Sequence, residues 1–148
     1  MSLQPPQPPL SFSQLPPEHR LLLDKFYRSH RSHMRAATGI GIQRWVARQP
    51  EIVAGLNLTP FEEGLWLTGL FVAPHRRGQG IARQLVHAAL ASHPGSVWLF
   101  CEPSMKDFYE KLGFKPNPLL PRALHDRLKR YQQSKSLLAL GHRSKHLT

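Results

Sequence analysis

Cysteine and acidic residues are scarce in this chain, and long apolar runs are absent. Cys101 is the single cysteine, so no disulfide can form within the chain. No apolar run approaches the ~20 residues that a membrane-spanning helix needs. The first nine residues lack the charged start and the apolar core of a secretory signal. These absences predict a cytoplasmic protein without a membrane segment.

The few acidic residues leave a strongly basic chain. Nine Asp and Glu oppose 20 Lys and Arg, which gives a formal net charge of +11. Such a field attracts nucleic acid, anionic lipid or a phosphate-rich cofactor, and charge alone does not choose among them. The length of 148 residues favours one domain. We predict no metal site.

The proline content divides the chain into an arm, a domain and a tail. Residues 1–17 are rich in proline, which removes backbone donors and favours extended conformations, so we predict a flexible arm. Residues 18–140 are predicted to form the single domain. Residues 141–148 are polar and basic, and we expect them to fray.

Apolar periodicity and turn residues predict alternating helices and strands. Short connections make three of the strands an antiparallel meander, and a crossover helix places the fourth strand parallel to the third. The predicted elements are helices over 18–32 and 33–38, strands over 42–48, 52–58 and 65–72, a helix over 81–92, a strand over 96–101, a short helix between Ser104 and Gly113, and a basic amphipathic helix over 122–140.

A strand-to-helix turn between Val72 and Ile81 is the most informative segment. The first backbone N–H groups of a helix have no internal partners, and they lie at the positive end of the helix dipole. An anion at that position is stabilised without any special side chain. The turn therefore predicts an anion site at the start of the helix.

The residues of this turn suit a phosphate ligand. Gly78 and Gly80 let the backbone approach phosphate oxygens and take positive φ values. Arg76 and Arg77 add charge and forked donors. Ala82 keeps the first helical turn close to a ligand. A Walker loop is excluded because no Lys follows the second glycine, and the dinucleotide fingerprint is excluded because its third small residue is missing.

With Arg77-Gly78-Gln79-Gly80-Ile81-Ala82, the chain resembles the acyl-CoA N-acyltransferases of the GNAT superfamily. The preceding Val72-Ala73-Pro74 is typical of that family. The later run Phe108-Tyr109-Glu110-Lys111-Leu112-Gly113-Phe114 is similar to its closing helix and turn. The two motifs have the order and separation of the family, and the resemblance covers residues 43–114.

The resemblance implies an α+β fold, with a GNAT-like mixed, largely antiparallel central sheet flanked by helices. It also implies splayed parallel strands at an acetyl-CoA site, and Gly69 suits the bulge often found on the third strand. The pyrophosphate would bind the backbone amides of 77–82, and the pantetheine arm would pair with main-chain groups at the end of that strand. The implied cofactor-binding residues are Phe71, Val72, Arg76, Arg77, Gly78, Gln79, Gly80, Ile81 and Ala82.

The implied reaction moves an acetyl group from acetyl-CoA directly to a primary amine. Tyr109 matches the family tyrosine that serves as general acid near the sulfur, and a phenol with a reference pKa of ~10 is protonated at neutral pH. A backbone N–H near Phe71 or Val72 would stabilise the oxyanion. Met105 stands where the family carries alanine and would narrow the cofactor groove.

The general base is not evident in the sequence. Many relatives carry a glutamate on the third strand, but residues 65–68 contain no carboxylate. Glu62 and Glu63 lie in the preceding turn and could act through water. His30 and His33 on the first helices are the other candidates.

Basic residues on the first helices indicate an acidic amine acceptor. They are Lys25, Arg28, Arg31 and Arg35. We expect a monomer or a homodimer.

Two alternatives to an enzyme remain open at this point. One is a nucleic-acid-associated protein on the same fold, indicated by the basic C-terminal helix, although no RNA-recognition aromatic motif or helix-turn-helix signature is present. The other is a non-catalytic module that binds acyl-CoA, indicated by the missing base. The basic residues of the C-terminal helix are Arg122, Arg127, Lys129, Arg130 and Lys135.

Overall fold

The computed structural model describes residues 7–143, which form seven strands and four α-helices. The strands are β1 (Ser11–Leu15), β2 (Gln43–Arg48), β3 (Ile52–Phe61), β4 (Gly64–Val72), β5 (Ser96–Cys101), β6 (Lys115–Pro116) and β7 (Leu138–Arg143). The helices are α1 (Arg20–Ser29), α2 (Ile81–Ala91), α3 (Lys106–Glu110) and α4 (Arg122–Gln132). Among the described residues, no helix combines the length and apolar character needed to cross a bilayer.

The strands form one mixed sheet in the order β1-β2-β3-β4-β5-β7-β6. Every neighbouring pair is antiparallel except β4 and β5, which are parallel and joined through α2. Their pairing ends at Leu67 opposite Leu99, although β4 continues to Val72 and β5 to Cys101. The two strands therefore part beyond this pair, and the predicted α+β class with splayed parallel strands is confirmed.

Helices cover both faces of the sheet. On one face, Leu85 and Val86 of α2 are fully buried in the core cluster that contains Leu67. On the other face, Leu23 and Tyr27 of α1 form a second buried cluster. The position of a side chain along a strand thus decides which layer it enters, because successive residues point to opposite faces.

The prediction of a flexible arm over residues 1–17 is wrong for β1. Ser11 pairs with Arg48 and Leu15 with Arg44, so β1 is an edge strand of the sheet. Leu15 is buried in the cluster under α1. The prolines flank this strand rather than interrupt it, so its backbone donors stay available for pairing. Residues 1–6 of the predicted arm lie outside the described residues.

The predicted helix over 122–140 and the predicted tail from residue 141 also need correction. The helix ends at Gln132, and Leu138–Arg143 form β7, which pairs with β5 along its whole length. The edge of β5 has backbone N–H and C=O groups that need partners, and residues 138–143 supply them by forming a strand. The remainder of the tail, residues 144–148, lies outside the described part of the chain.

The predicted short helix over residues 33–38 does not form. Asp24 accepts a hydrogen bond from the Ala36 N–H at 2.7 Å, and Asn57 accepts one from the Ala37 N–H at 2.9 Å. These side chains bind the backbone groups that a helix would pair internally. The segment therefore runs without regular structure beside α1.

The predicted bulge at Gly69 is confirmed. The register steps from Phe71 opposite Gly55 to Thr68 opposite Asn57, so β4 carries one residue more than β3 at this point. Gly69 has a φ of +69°, and its carbonyl accepts a hydrogen bond of 2.6 Å from the Tyr27 hydroxyl. The bulge lies at the point where β4 and β5 part.

Replacing Gly69 with alanine is expected to lower the free energy of unfolding by about 3 kcal/mol. Its Cβ would lie 2.8 Å from Asn57 Nδ2 and 2.9 Å from the Tyr27 hydroxyl, at a positive φ. Gly78→Ala is the matched control, because Gly78 has a φ of +77° but no atom within 4 Å of a Cβ. We expect it to lose only about 1 kcal/mol. Urea unfolding measures both, and equal losses would contradict the crowding at Gly69.

Candidate active site

A cleft of about 460 Å³ opens where β4 and β5 part. It is bounded by the end of β4, the start of α2 and α3. The structure brings together here Tyr109 and all the predicted cofactor residues except Gln79. Its lining also contains residues for which the sequence predicted no cofactor role, Leu70, Arg83 and Phe108. The full lining is Leu70, Phe71, Val72, Arg76, Arg77, Gly78, Gly80, Ile81, Ala82, Arg83, Met105, Phe108 and Tyr109.

The turn that leads into α2 exposes backbone amides to this cleft. Gly80 is the N-cap, with a φ of +78°, and the first hydrogen bond of the helix runs from the Gln84 N–H to the Gly80 carbonyl at 3.1 Å. The amides of Ile81 and Ala82 therefore have no intrahelical partner. A Cβ at Gly78 would meet no atom within 4 Å, and one at Gly80 would have its nearest neighbours at 3.8 Å. The turn is open to a ligand.

The side chain of Gln79 stabilises the turn from outside the cleft. Its Oε1 accepts a hydrogen bond of 3.1 Å from Arg76 Nε. Arg76 also donates to Gln49 Oε1 at 2.7 Å, which ties the turn to the β2–β3 connection. The side chain of Gln79 thus holds Arg76 in place, and Gln79 does not line the cleft.

The main-chain groups of Val72 face the cleft. The next amide, of Ala73, donates to the Val53 carbonyl at 2.8 Å and so points toward β3. Because main-chain groups alternate in direction along a strand, those of Val72 point the other way. Arg77 Nε donates to the Val72 carbonyl at 2.9 Å, and its guanidinium lies 5.0 Å from the centre of the Phe71 ring.

Tyr109 closes the cleft from α3. Its side chain is buried, with the ring centre 5.1 Å from that of Phe108 and 5.7 Å from that of Phe114. Burial, with a smaller contribution from the Cys101 thiol, raises the pKa of Tyr109 to about 12. Burial also raises the pKa of Cys101. Both groups therefore hold their protons at neutral pH, and the phenol is available as a proton donor.

The structure separates the four candidate bases. Glu62 and Glu63 precede β4, and about seven residues of strand at roughly 3.3 Å each separate them from the cleft. His30 lies nearer, with its ring centre 6.1 Å from that of Phe71. His33 lines a different cavity. His30 is thus the candidate that the fold brings closest to the end of β4.

The basic residues predicted to mark the acceptor site do not line the cleft. Arg28 and Arg35 line a separate cavity of about 740 Å³ between α1 and the segment that follows it. Lys25 and Arg31 are not part of its lining. This cavity shares no lining residue with the cleft, and the acidic acceptor stays a prediction.

Comparison with known proteins agrees with this geometry. The acetyltransferase (GNAT) domain family matches residues 41–116. No curated protein matches the chain. The strand-to-helix turn and β4 lie within the matched segment, as does α3 with Tyr109.

Solved structures show the same fold at low sequence identity. The ribosomal-protein-S18-alanine N-acetyltransferase from Escherichia coli has a TM-score of 0.71 at 13% identity, over 94% of this chain and 96% of that one. Escherichia coli ElaA has a TM-score of 0.67 at 14% identity, over 90% of this chain and 99% of that one. The N-acetyltransferase YhbS from Escherichia coli was solved in complex with CoA. It has a TM-score of 0.64 at 18% identity, over 97% of this chain and 85% of that one.

Proposed function

This chain belongs to the GNAT acetyltransferase domain family, and from that premise we propose that it transfers the acetyl group of acetyl-CoA to a primary amine. The observation that carries the proposal is one cleft that holds both the open turn at Gly78 and Gly80 and the protonated phenol of Tyr109. The turn suits a pyrophosphate, and the phenol suits a leaving thiolate.

The cleft offers a distinct set of groups to each part of acetyl-CoA. The amides of Ile81 and Ala82 would bind the pyrophosphate, with Arg76 and Arg77 supplying charge. The main-chain groups of Val72 would pair with the amides of the pantetheine arm. The CoA complex of YhbS supports this choice of cosubstrate.

The reaction needs no covalent enzyme intermediate. The amine nitrogen attacks the thioester carbonyl carbon and forms the C–N bond, and the C–S bond then breaks. Tyr109 donates its proton to the departing sulfur, while the amine proton leaves to water or to His30. A main-chain N–H directed at the cleft, such as that of Val72, would stabilise the oxyanion.

Acetyl-CoA is expected to stabilise the protein and to release free thiol when an amine is present. At a concentration of 100 times Kd, binding adds about 2.7 kcal/mol to the free energy of unfolding. Thermal unfolding measures the first effect, and a thiol assay across primary amines measures the second. Stabilisation without thiol release from any amine would favour the non-catalytic acyl-CoA module instead. Absence of both effects would contradict the proposal.

A further inference from the structure

An aromatic patch lies on the face of the sheet opposite the cleft. Leu65 and Leu67 point into the core under α2, so Trp66 between them points to the other face. The ring centre of Trp66 lies 5.7 Å from that of Phe61 and 5.4 Å from that of Phe100. We call these three residues the aromatic patch, and α4 covers it with Arg127 and Tyr131.

The aromatic patch is adjacent to the opening between β4 and β5. Trp66 pairs with Trp98, one position before the final pair of Leu67 and Leu99. Phe100 is the first residue of β5 beyond that pair. The aromatic patch therefore borders the opening on the face opposite the cleft.

Trp66 has a buried donor without a partner. Its Nε1 is inaccessible to solvent and makes no hydrogen bond within residues 7–143. Buried polar groups are nearly always hydrogen-bonded, and leaving one unpaired is destabilising. An indole N–H can only donate, so the missing partner is an acceptor.

Arg127 supplies a second group that requires an acceptor at the same place. Its guanidinium lies 5.0 Å from the centre of the Trp66 ring and 5.6 Å from that of Phe61. No ion pair joins Arg127 to any residue in the described part of the chain. The neighbouring Asp126 instead lies 3.6 Å from His125 Nδ1. A carboxylate would satisfy both the guanidinium and the indole.

We propose that Arg127 and Trp66 Nε1 bind a carboxylate of the acceptor while its amine reaches the opening between β4 and β5. The inference rests on the proposed acetyl transfer and names its substrate class. From Trp66 to the open part of β4, at Thr68 to Leu70, is about 7–13 Å along the strand. The acceptor therefore carries its amine at the far end of an extended chain, as ε-aminocaproate or the side chain of a free lysine does.

Access to the buried donor requires a side chain to move. Arg127 and Tyr131 of α4 both contact the aromatic patch, and Tyr131 is an exposed side chain. An entering carboxylate attracts the Arg127 guanidinium and can shift it from the face of the indole. We expect the same movement to expose Nε1 for the second contact.

The experiment compares ε-aminocaproate with pentylamine, which has the same chain without the carboxylate. We expect the wild type to use ε-aminocaproate with at least 10-fold higher kcat/KM, and to use glycine poorly. Arg127→Gln should lower kcat/KM for ε-aminocaproate roughly 10- to 100-fold, the size expected for hydrogen bonds to a charged group. Trp66→Phe keeps an aromatic ring but removes the donor. It should also lower kcat/KM for ε-aminocaproate, by a smaller factor. Neither change should alter kcat/KM for pentylamine.

Arg130→Gln is the matched control, since Arg130 is exposed on the same helix and contacts no patch residue. It should behave as the wild type with both amines. Thermal unfolding establishes that each variant is folded. If pentylamine is used as well as ε-aminocaproate, or if Arg127→Gln slows both amines equally, the inference is overturned and the proposed transferase stands.

A binding measurement separates the inference from turnover. Calorimetry with ε-aminocaproate alone should show saturable binding to the wild type and its loss in Arg127→Gln. If no amine releases thiol, the proposed function fails, and this measurement then decides the carboxylate site by itself. Absence of wild-type binding, together with no preference in turnover, would overturn the site.

Discussion

Gly80→Arg is expected to abolish the stabilisation of the protein by acetyl-CoA. Gly80 caps α2 at a φ of +78°, and a Cβ there would have its nearest neighbours at 3.8 Å, on Arg83 and Gln84. The Cβ itself thus meets no clash, and we expect the longer arginine side chain to cover the amides that would bind the pyrophosphate. The left-handed backbone adds a strain of about 1–2 kcal/mol, which is too small to unfold an ordinary domain.

Thermal unfolding with and without acetyl-CoA measures this effect. For the wild type, the ~2.7 kcal/mol gained at 100 times Kd raises Tm by roughly 5–10 °C. Gly80→Arg should show no such rise. Gly39→Arg is the control, because Gly39 also has a positive φ, of +135°, but lies outside the cleft. A normal rise in the Gly80 variant would rule out the strand-to-helix turn as the cofactor site.

Tyr109→Phe is expected to lower kcat by about 100-fold or more, the usual contribution of a general acid. Phenylalanine preserves the ring packing against Phe108 and Phe114 and removes only the hydroxyl. With a pKa of about 12, Tyr109 is protonated throughout the neutral range, so wild-type enzyme always has this proton to give. The variant must release an unprotonated thiolate or draw the proton from water.

The acetyl-CoA-dependent rise in Tm serves as the internal control for Tyr109→Phe. We expect that rise to equal the wild-type value, since the hydroxyl acts on the leaving sulfur and not on the pyrophosphate. Steady-state kinetics with a saturating amine then report the chemical step. Unchanged turnover would remove Tyr109 from the mechanism, and a lost thermal shift would mean that the ring position rather than the proton had changed.

Local sequence patterns predicted the part of the fold that depends on neighbours in the chain. The meander, the crossover helix and the open turn each follow from spacing within a few residues, such as Gly78 and Gly80 before Ile81. The resemblance to GNAT enzymes added the parting of β4 and β5, which spacing alone does not reveal. It also implied the bulge at Gly69, where glycine suits the positive φ.

Elements that depend on distant partners were mispredicted. Ser11–Leu15 becomes a strand because β2 offers an edge, and Leu138–Arg143 becomes one because β5 does. The sequence of each segment carries no information about the strand edge with which it pairs. The prolines around the first segment favour an extended arm. The local sequence of residues 33–38 favours a helix, but in the fold the side chains of Asp24 and Asn57 accept hydrogen bonds from two of its backbone amides.

The candidate site shows the same division. The sequence indicates the turn through its short glycine motif, and it indicates Tyr109 through the resemblance to the GNAT superfamily. By contrast, the sequence shows Arg127 only as one charge of a basic helix and Trp66 only as part of a predicted strand. Only the packing of α4 on the sheet brings the Arg127 guanidinium to 5.0 Å from the Trp66 ring.

The contact between Arg77 and the Val72 carbonyl would make the two halves of the proposed cosubstrate interdependent. The pantetheine half would compete with Arg77 for that carbonyl, whereas the diphosphate half would give the guanidinium a stronger anionic partner. Occupancy of one half would therefore favour binding of the other, and by thermodynamic reciprocity the effect would be mutual. Intact acetyl-CoA would then gain a linkage energy that neither a nucleotide fragment nor a thiol fragment could obtain alone.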